Sequence, residues 1–291
     1  MTEDISLLLR AALSESESEA HAAWRSWRDS QDIQQIPWSA QQLIPFLNGS
    51  RFHEWLSGDP DAGILQGIVR RAWTEAQVRL ALAHEAATQL EQAGCEPVLI
   101  GPAAVHLRNS RKESIRSISN LRFLVRRSAI PLAMEALRAA DWKSHGEIPA
   151  SQAFDWSMFT SFSRNGVELY LHWRALPVSH AEASECERRF LEHVDILAAG
   201  GMSFRVLEAG YALLAALAGR TADDTDIIPW QVDAASIPRD EIVWKDWTRV
   251  ASAYAREAVG RLAELRALGV SVPRVERSLL DRLRAWLLGE K

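Results

Sequence analysis

The sequence predicts an α+β protein, a mixed strand-and-helix core set between two helical regions. Three observations predict it. Apolar residues recur at helical spacing before residue 95 and again after residue 207. Between them the pattern changes to short apolar runs that end in turn residues, the first being Pro97-Val98-Leu99-Ile100-Gly101. Asn165-Gly166, with apolar runs on both sides, is a strong hairpin signal. The expected division is residues 1–94, helical; 95–206, the α+β core; and 207–291, helical.

Residues 5–13 and 20–28 read as helices, with the alternating Ser and Glu of 14–19 as a loop or a solvated face between them. Ile36-Pro37 breaks the pattern, because a residue before proline is pushed out of the α region. Ser39 is the expected cap of a helix running to Leu47. Turns follow at 48–50 and 57–60. The longest expected helix covers 64–92, with Ile64, Ile68, Trp73, Ala76, Leu80, Ala83, Ala87 and Leu90 as its apolar stripe and Gly94 as its stop. In the core, Pro102 suits the first turn of a short helix to Leu107. Residues 121–125 read as a strand. Residues 128–140 read as a helix with Ser128 as cap and Leu132 and Leu137 on one face. Strands at 154–162 and 167–173 flank the Asn-Gly turn, and a weaker hairpin at 194–206 turns on Gly200-Gly201. Helices are expected at 207–218, 247–268 and 274–287.

Composition narrows the function. The chain has 291 residues, 33 Lys and Arg, 38 Asp and Glu, and a formal net charge of −5. That balance argues against extended nucleic-acid binding through a broad basic face. Two cysteines, Cys95 and Cys186, rule out a disulfide framework and a four-cysteine zinc site. The charge-free run at 209–219 is too short for a membrane helix, so no membrane association is expected. The opening Met1-Thr2-Glu3-Asp4 is acidic where a signal peptide is basic, which makes the cytoplasm the default location. The twelve tryptophans are expected mainly as core anchors.

An ordered series of motifs carries a more specific reading. It runs Leu99-Ile100-Gly101-Pro102-Ala103-Ala104, then Arg116-Ser117-Ile118-Ser119-Asn120-Leu121-Arg122-Phe123-Leu124-Val125, then Asp141-Trp142 after a helix. Leu169-Tyr170-Leu171-His172-Trp173, Pro229-Trp230-Gln231-Val232-Asp233 and Ile242-Val243-Trp244-Lys245-Asp246-Trp247 follow. The series resembles the uncharacterised nucleotidyltransferases of the DNA polymerase beta superfamily over nearly the whole chain. The resemblance implies a mixed sheet with an Asp-x-Asp pair on one strand, a third carboxylate on the next, and magnesium held between them. Carboxylates two residues apart on a strand share a face, and such a cage serves a two-metal transfer.

This sequence departs from that pattern at every ligand position. Asn120 and Arg122 stand where the Asp-x-Asp pair is implied, Tyr170 where the third carboxylate is implied, and Ile100 where a lysine is usual. An arginine cannot ligate a cation, and a protonated tyrosine is a poor ligand for a hard metal. No metal site is therefore expected. The expected ligand cleft comprises Gly101, Pro102, Arg116, Asn120, Arg122, Glu168, Tyr170 and His172. Arg122 either faces an anionic group or pairs with Glu168. Glu168 is otherwise a shifted third carboxylate. His172 either packs or contacts ligand, and Glu168 and His172 are the only catalytic candidates. His180, Cys186 and His193 match no compact zinc spacing, and Asp223-Asp224-Thr225-Asp226 lacks the glycine and glutamate of a calcium loop.

The leading expectation is a pseudoenzyme that binds a small anionic ligand, a peptide or a protein partner, with a bacterial-type biosynthetic pathway as the context the resemblance implies. No cofactor is expected. An active nucleotidyl or phosphoryl transferase with relocated residues is the alternative, and it alone would use magnesium with a nucleotide. A regulatory or scaffolding partner of an active enzyme is the third.

Overall fold

The structure, a computed structural model, describes residues 3–109, 114–146, 157–219 and 228–273. Five helices come first: α1 (Glu3–Leu13), α2 (Glu17–Ser30), α3 (Trp38–Leu47), α4 (Ser50–Trp55) and α5 (Ala62–Gln92). The core adds β1 (Val98–Ile100), α6 (Gly101–Arg108), β2 (Leu121–Leu124), α7 (Ile130–Ala139), β3 (Lys143–Ser144), β4 (Phe159–Arg164), β5 (Val167–His172), α8 (His180–Glu192), β6 (Val194–Ala199) and β7 (Met202–Leu207). Four helices close it: α9 (Ala209–Ala218), α10 (Trp230–Ser236), α11 (Trp244–Tyr254) and α12 (Arg256–Ala267). This is the α+β class that the sequence predicts, a mixed sheet with helices before and after it. No described helix is long and apolar enough to cross a membrane.

The seven strands form one mixed sheet in the order β3-β4-β5-β2-β1-β7-β6. β1 runs parallel to β7 and β2 parallel to β5, while the other neighbours are antiparallel. Both hairpins turn where expected. Asn165 and Gly166 have φ of 52° and 74°, and Gly200 and Gly201 have 57° and 80°, the left-handed pairs a two-residue hairpin demands.

Alternation along the strands sorts the sheet into two faces. Leu99, Leu121, Phe123, Leu169, Leu171 and Val206 pack with α5 and α7. Val98, Ile100, Leu124 and Leu207 join a second cluster that holds α1 to α3 and α9 to α12 together. The N-terminal and C-terminal helices therefore share one core. Helix α5 bridges the two clusters, with Leu65 in one and Ala76 to Leu90 in the other.

Several local expectations are corrected. The buried stripe of α5 is Leu65, Ala72, Ala76, Leu80, Ala83, Ala86, Ala87 and Leu90. Ile64 and Trp73 are exposed, because their steps of four and five residues to Ile68 drift off a 3.6-residue period. In α7 the buried set is Ile130, Ala133, Met134 and Leu137, and Leu132 is exposed. Five residues separate Leu132 from Leu137, half a turn out of phase. Ser128 lies in a short 3-10 turn and does not cap α7. Helix α3 starts at Trp38, so Ser39 is inside it. The helix expected at 247–268 is two, broken at Ala255 with φ −153° and ψ 63°. Helix α8 is not foreseen from the sequence, because Glu and Arg crowd it and hide the buried pattern of Ala183, Cys186 and Phe190. Residues 154–156, 223–226 and 274–287 lie outside the described residues. Trp24, Trp27, Trp142, Trp173 and Trp247 are core anchors.

One segment is pinned from three sides. Residues 114–118 lead into β2 and are held by α3: the Ile115 backbone N donates to Pro45 O at 3.0 Å and the Ser117 hydroxyl to Gln42 O at 3.4 Å. Helix α6 adds His106, whose Nδ1 lies 3.0 Å from the Arg116 carbonyl. A carbonyl only accepts, so the Nδ1–H tautomer is the one bonded. Burial lowers the His106 pKa, which keeps the ring neutral. Helix α10 completes the clamp through Asp233, whose carboxylate takes Arg116 Nε at 2.5 Å and Nη2 at 3.3 Å. Arg116 is wholly buried and Asp233 nearly so. Removing one partner of such a pair leaves a buried charge alone. Asp233→Ala is expected to cost about 3–5 kcal/mol in urea unfolding, and Asp233→Leu combined with Arg116→Met to recover most of it.

Candidate functional site

The site forms on the sheet face that looks toward α9. Antiparallel β1 and parallel β5 flank β2, and their register sets Ile100, Arg122 and Tyr170 in one row across three strands. One step on, Leu124 is beside His172. Even-numbered residues of β2 and β5 share this face, so Arg122, Glu168, Tyr170 and His172 belong to one side of the sheet, and Asn120, just before β2, meets Arg122 there.

Two hydrogen bonds organise the row. Arg122 Nε donates to Asn120 Oδ1 at 2.7 Å. Tyr170 Oη donates to Glu168 Oε2 at 2.6 Å. The Arg122 guanidinium lies 6.0 Å from the Tyr170 ring centre, within cation–π range. Phe159 on β4 meets Tyr170 edge-on at 5.1 Å and lies 5.1 Å from the His172 ring. Arg122 and Tyr170, at two of the three implied carboxylate positions, thus bond to the residues two before them in the chain, Asn120 and Glu168.

Gly101 explains how the Arg122 stem finds room. It has φ +66°, and a Cβ there would meet Arg122 Cδ at 2.7 Å. A left-handed backbone and a missing side chain together let the arginine cross the β1–α6 turn. Pro102 is buried in the first turn of α6.

Gly101, Arg122 and His172 line a cavity of about 60 Å³, with Ala104 of α6 and the Ala212, Ala215 and Ala216 face of α9 as its apolar wall. The space suits a small group or a few waters, where an enclosed site for a drug-sized ligand takes several hundred Å³. His172 is buried at its edge.

Arg116 does not join this cleft. Its charge is spent on Asp233, with Nη1 also donating to the Ser117 carbonyl, because a fully buried guanidinium needs its partners close by. Pro102 does not reach the cavity wall either. Glu168 is exposed and its carboxylate bonds Tyr170.

Two charged residues not singled out from the sequence as site residues border the cavity, Arg108 and Asp233. Arg108 is buried and donates to Asp195 at 2.5 Å, to Glu241 at 2.7 Å and to the Leu207 carbonyl at 2.7 Å. Its partners lie 87 to 133 residues away, so no local pattern could reveal it. Asp233 carried a signal, since it closes the Trp230-to-Asp233 motif.

A family model described as an uncharacterised nucleotidyltransferase matches residues 60–266. The chain belongs to this family. The match spans α5 through α12 almost entirely, so both faces of the sheet fall within it. No curated protein matches the sequence.

Family membership raises the question of magnesium, and the donors on these strands do not fit it. Magnesium takes oxygen ligands in a near-octahedral set, usually with one or two carboxylates. Here the row offers a guanidinium, an amide already accepting from it, and a phenol donating to Glu168. Among the described residues no group of three or more His, Cys, Asp or Glu is placed to hold a metal. Cys186 is buried, and that burial pushes its thiol up to about 12, so it is protonated at neutral pH. Cys95 is a buried small side chain whose thiol burial also pushes up.

Two outcomes follow from this geometry. Gly101→Ala is expected to lower stability by about 1–2 kcal/mol through its left-handed backbone, with added strain from Arg122, read as an earlier urea midpoint. Neither cysteine should react with a thiol reagent at pH 8 in the folded protein, and both should react once it is unfolded, as counted by mass spectrometry.

Proposed function

We propose that the protein is a catalytically degenerate nucleotidyltransferase-like protein that binds a small anionic ligand in a cytoplasmic biosynthetic pathway. The observation that carries the reading is the position of Arg122. A fixed positive charge sits in the row between Ile100 and Tyr170, where the family resemblance implies a metal-binding carboxylate. Its side chain lines the cavity and is braced by Asn120 and by the open turn at Gly101.

An arginine held this way presents a planar fork to a phosphate or carboxylate. It can supply a fixed charge in place of a bound cation. It supplies no activated nucleophile, and the nearby carboxylates are engaged, Glu168 with Tyr170 and Asp233 with Arg116. The residues of this face therefore recognise an anion and move no phosphoryl group. The small volume favours a compact oxyanion or a single acidic side chain of a peptide or protein partner over a whole nucleotide.

The test is calorimetry with inorganic phosphate and with ATP, GTP, CTP and UTP, each with and without magnesium, beside an assay for transfer of label from the triphosphates. Phosphate should bind in the roughly millimolar to micromolar range. Arg122→Ala should weaken it about tenfold, and magnesium should not strengthen it. Magnesium-dependent label transfer that disappears in Glu168→Gln or His172→Ala would overturn this reading in favour of an active transferase.

A further inference from the structure

The wall of the Arg122 cleft is mostly hydrocarbon. Among the described residues that line it, Arg108, Arg122, His172 and Asp233 are polar, and the others are apolar or glycine. Ile100 of β1, Ala104 and Val105 of α6, and Ala212, Ala215 and Ala216 of α9 all border the space. The three α9 residues are spaced to share one face of that helix. Ala212 and Ala215 are only half-buried, whereas Leu213, Leu214 and Leu217 of the same helix are buried. Small side chains thus keep the cleft open on this side.

Its charges are few and mostly engaged. Arg108 is bonded to Asp195 and Glu241, and Asp233 to Arg116. Arg122 bonds through Nε to Asn120, a neutral amide, and brings one positive charge to the space.

A phosphate asks for more than this. It carries more than one negative charge at pH 7 and several strong acceptor oxygens. Against a wall of methyl groups most of those oxygens would lose water and gain no donor. A helix start often supplies donors through its backbone N–H groups. Here α6 begins at Gly101, on the cavity wall, and its second residue is Pro102, which has no N–H. A carboxylate asks for less. It has one charge and two oxygens in a plane, the pattern that a guanidinium fork matches.

We infer, on the strength of the anion-binding reading above, that this cleft takes a free aliphatic monocarboxylate with a short branched tail. The carboxylate meets Arg122, and the tail lies against the alanine face of α9. The volume of about 60 Å³ sets the length. A water-sized group takes about 10–15 Å³ of such space, so the cleft holds about four to six non-hydrogen atoms. Isobutyrate is of that size. An acidic side chain of a protein would bring its own backbone amides against the same hydrocarbon, where they would find no partners.

The experiment is calorimetry of the full chain at neutral pH with isobutyrate, acetate, lactate, inorganic phosphate and N-acetylaspartate amide, the last standing in for the acidic side chain of a protein. Isobutyrate should bind with a Kd at or below roughly 1 mM, and more tightly than phosphate or the aspartate amide. Acetate, which lacks two methyl groups, should bind about tenfold more weakly. Lactate, with a hydroxyl in place of one methyl, should lose about as much. Arg122→Ala should weaken isobutyrate about tenfold, and Ala215→Leu, which fills the tail's place, should abolish its binding. Circular dichroism melts check that each variant is folded. If Ala215→Leu fails to fold, the series of acids decides the matter. Phosphate that binds more tightly than isobutyrate overturns the carboxylate assignment and leaves the anion reading standing. So does isobutyrate that binds no better than acetate or lactate, or less well than the aspartate amide. Isobutyrate binding that Arg122→Ala leaves unchanged also overturns the assignment. Failure of isobutyrate and phosphate alike to bind overturns both.

Discussion

The ion pair between Arg116 and Asp233 is the constraint on which the site depends. It joins the loop entering β2 to a helix more than a hundred residues later, with both charges out of water. Burying the pair costs solvation that their attraction returns only when the geometry is fixed. The surrounding bonds from α3 and His106 fix it. With residues 114–118 immobile, β2 enters the sheet in one register, and that register sets Arg122 beside Tyr170 and opposite Ile100. The pair thus acts on the site from a distance. Arg116 does not itself line the cavity, though its partner Asp233 does, and the register it helps to hold places Ile100 and Arg122 there.

Charge is distributed by the same rule elsewhere. Arg108 reaches two carboxylates and a carbonyl from within the protein, and through Glu241 it ties α6 to the segment before α11. Arg28 does likewise for the N-terminal helices, pairing with Asp59 at 2.9 Å and with Asp61. The Arg28 guanidinium holds the Asp59 carboxyl below its ordinary range. Three arginines therefore fasten segments that apolar burial alone would bring near without fixing their angle. Apolar contact is non-directional, whereas a guanidinium fork is not.

Much of the fold was legible because its signals are local. The hairpins were written in Asn165-Gly166 and Gly200-Gly201, and the end of α5 in Gly94, which has φ +78°. The strands of the site, β1, β2 and β5, were short apolar runs, and the parity of their residues determined the faces. What failed was phase over longer distances. Helix α5 is long enough for small errors of period to move Ile64 and Trp73 to the wrong side, and Leu132 was misplaced by half a turn. Arg116 was misjudged for another reason. Its spacing before β2 is the same whether it faces a ligand or Asp233, and only the fold of α10 distinguishes the two. Arg108 had no signal at all in its own neighbourhood.

The place of β1 in the sheet has a consequence for how the chain reaches this state. β1 is a central strand with β2 on one side and β7 on the other. Its partner Leu124 follows soon after it, but Val206, opposite Leu99, comes more than a hundred residues later. Closing a loop of that length delays folding more than it lowers stability. During synthesis from the N-terminus, the edge of β1 that will meet β7 must wait while α7, β4, β5 and α8 emerge. Even then Asp233, the partner of Arg116, is absent until α10 is made. The nascent protein therefore passes through a stage in which one edge of an inner strand is open and the Arg116–Asp233 pair is not yet made. That stage, rather than the finished fold, is where a chaperone would find the most to protect.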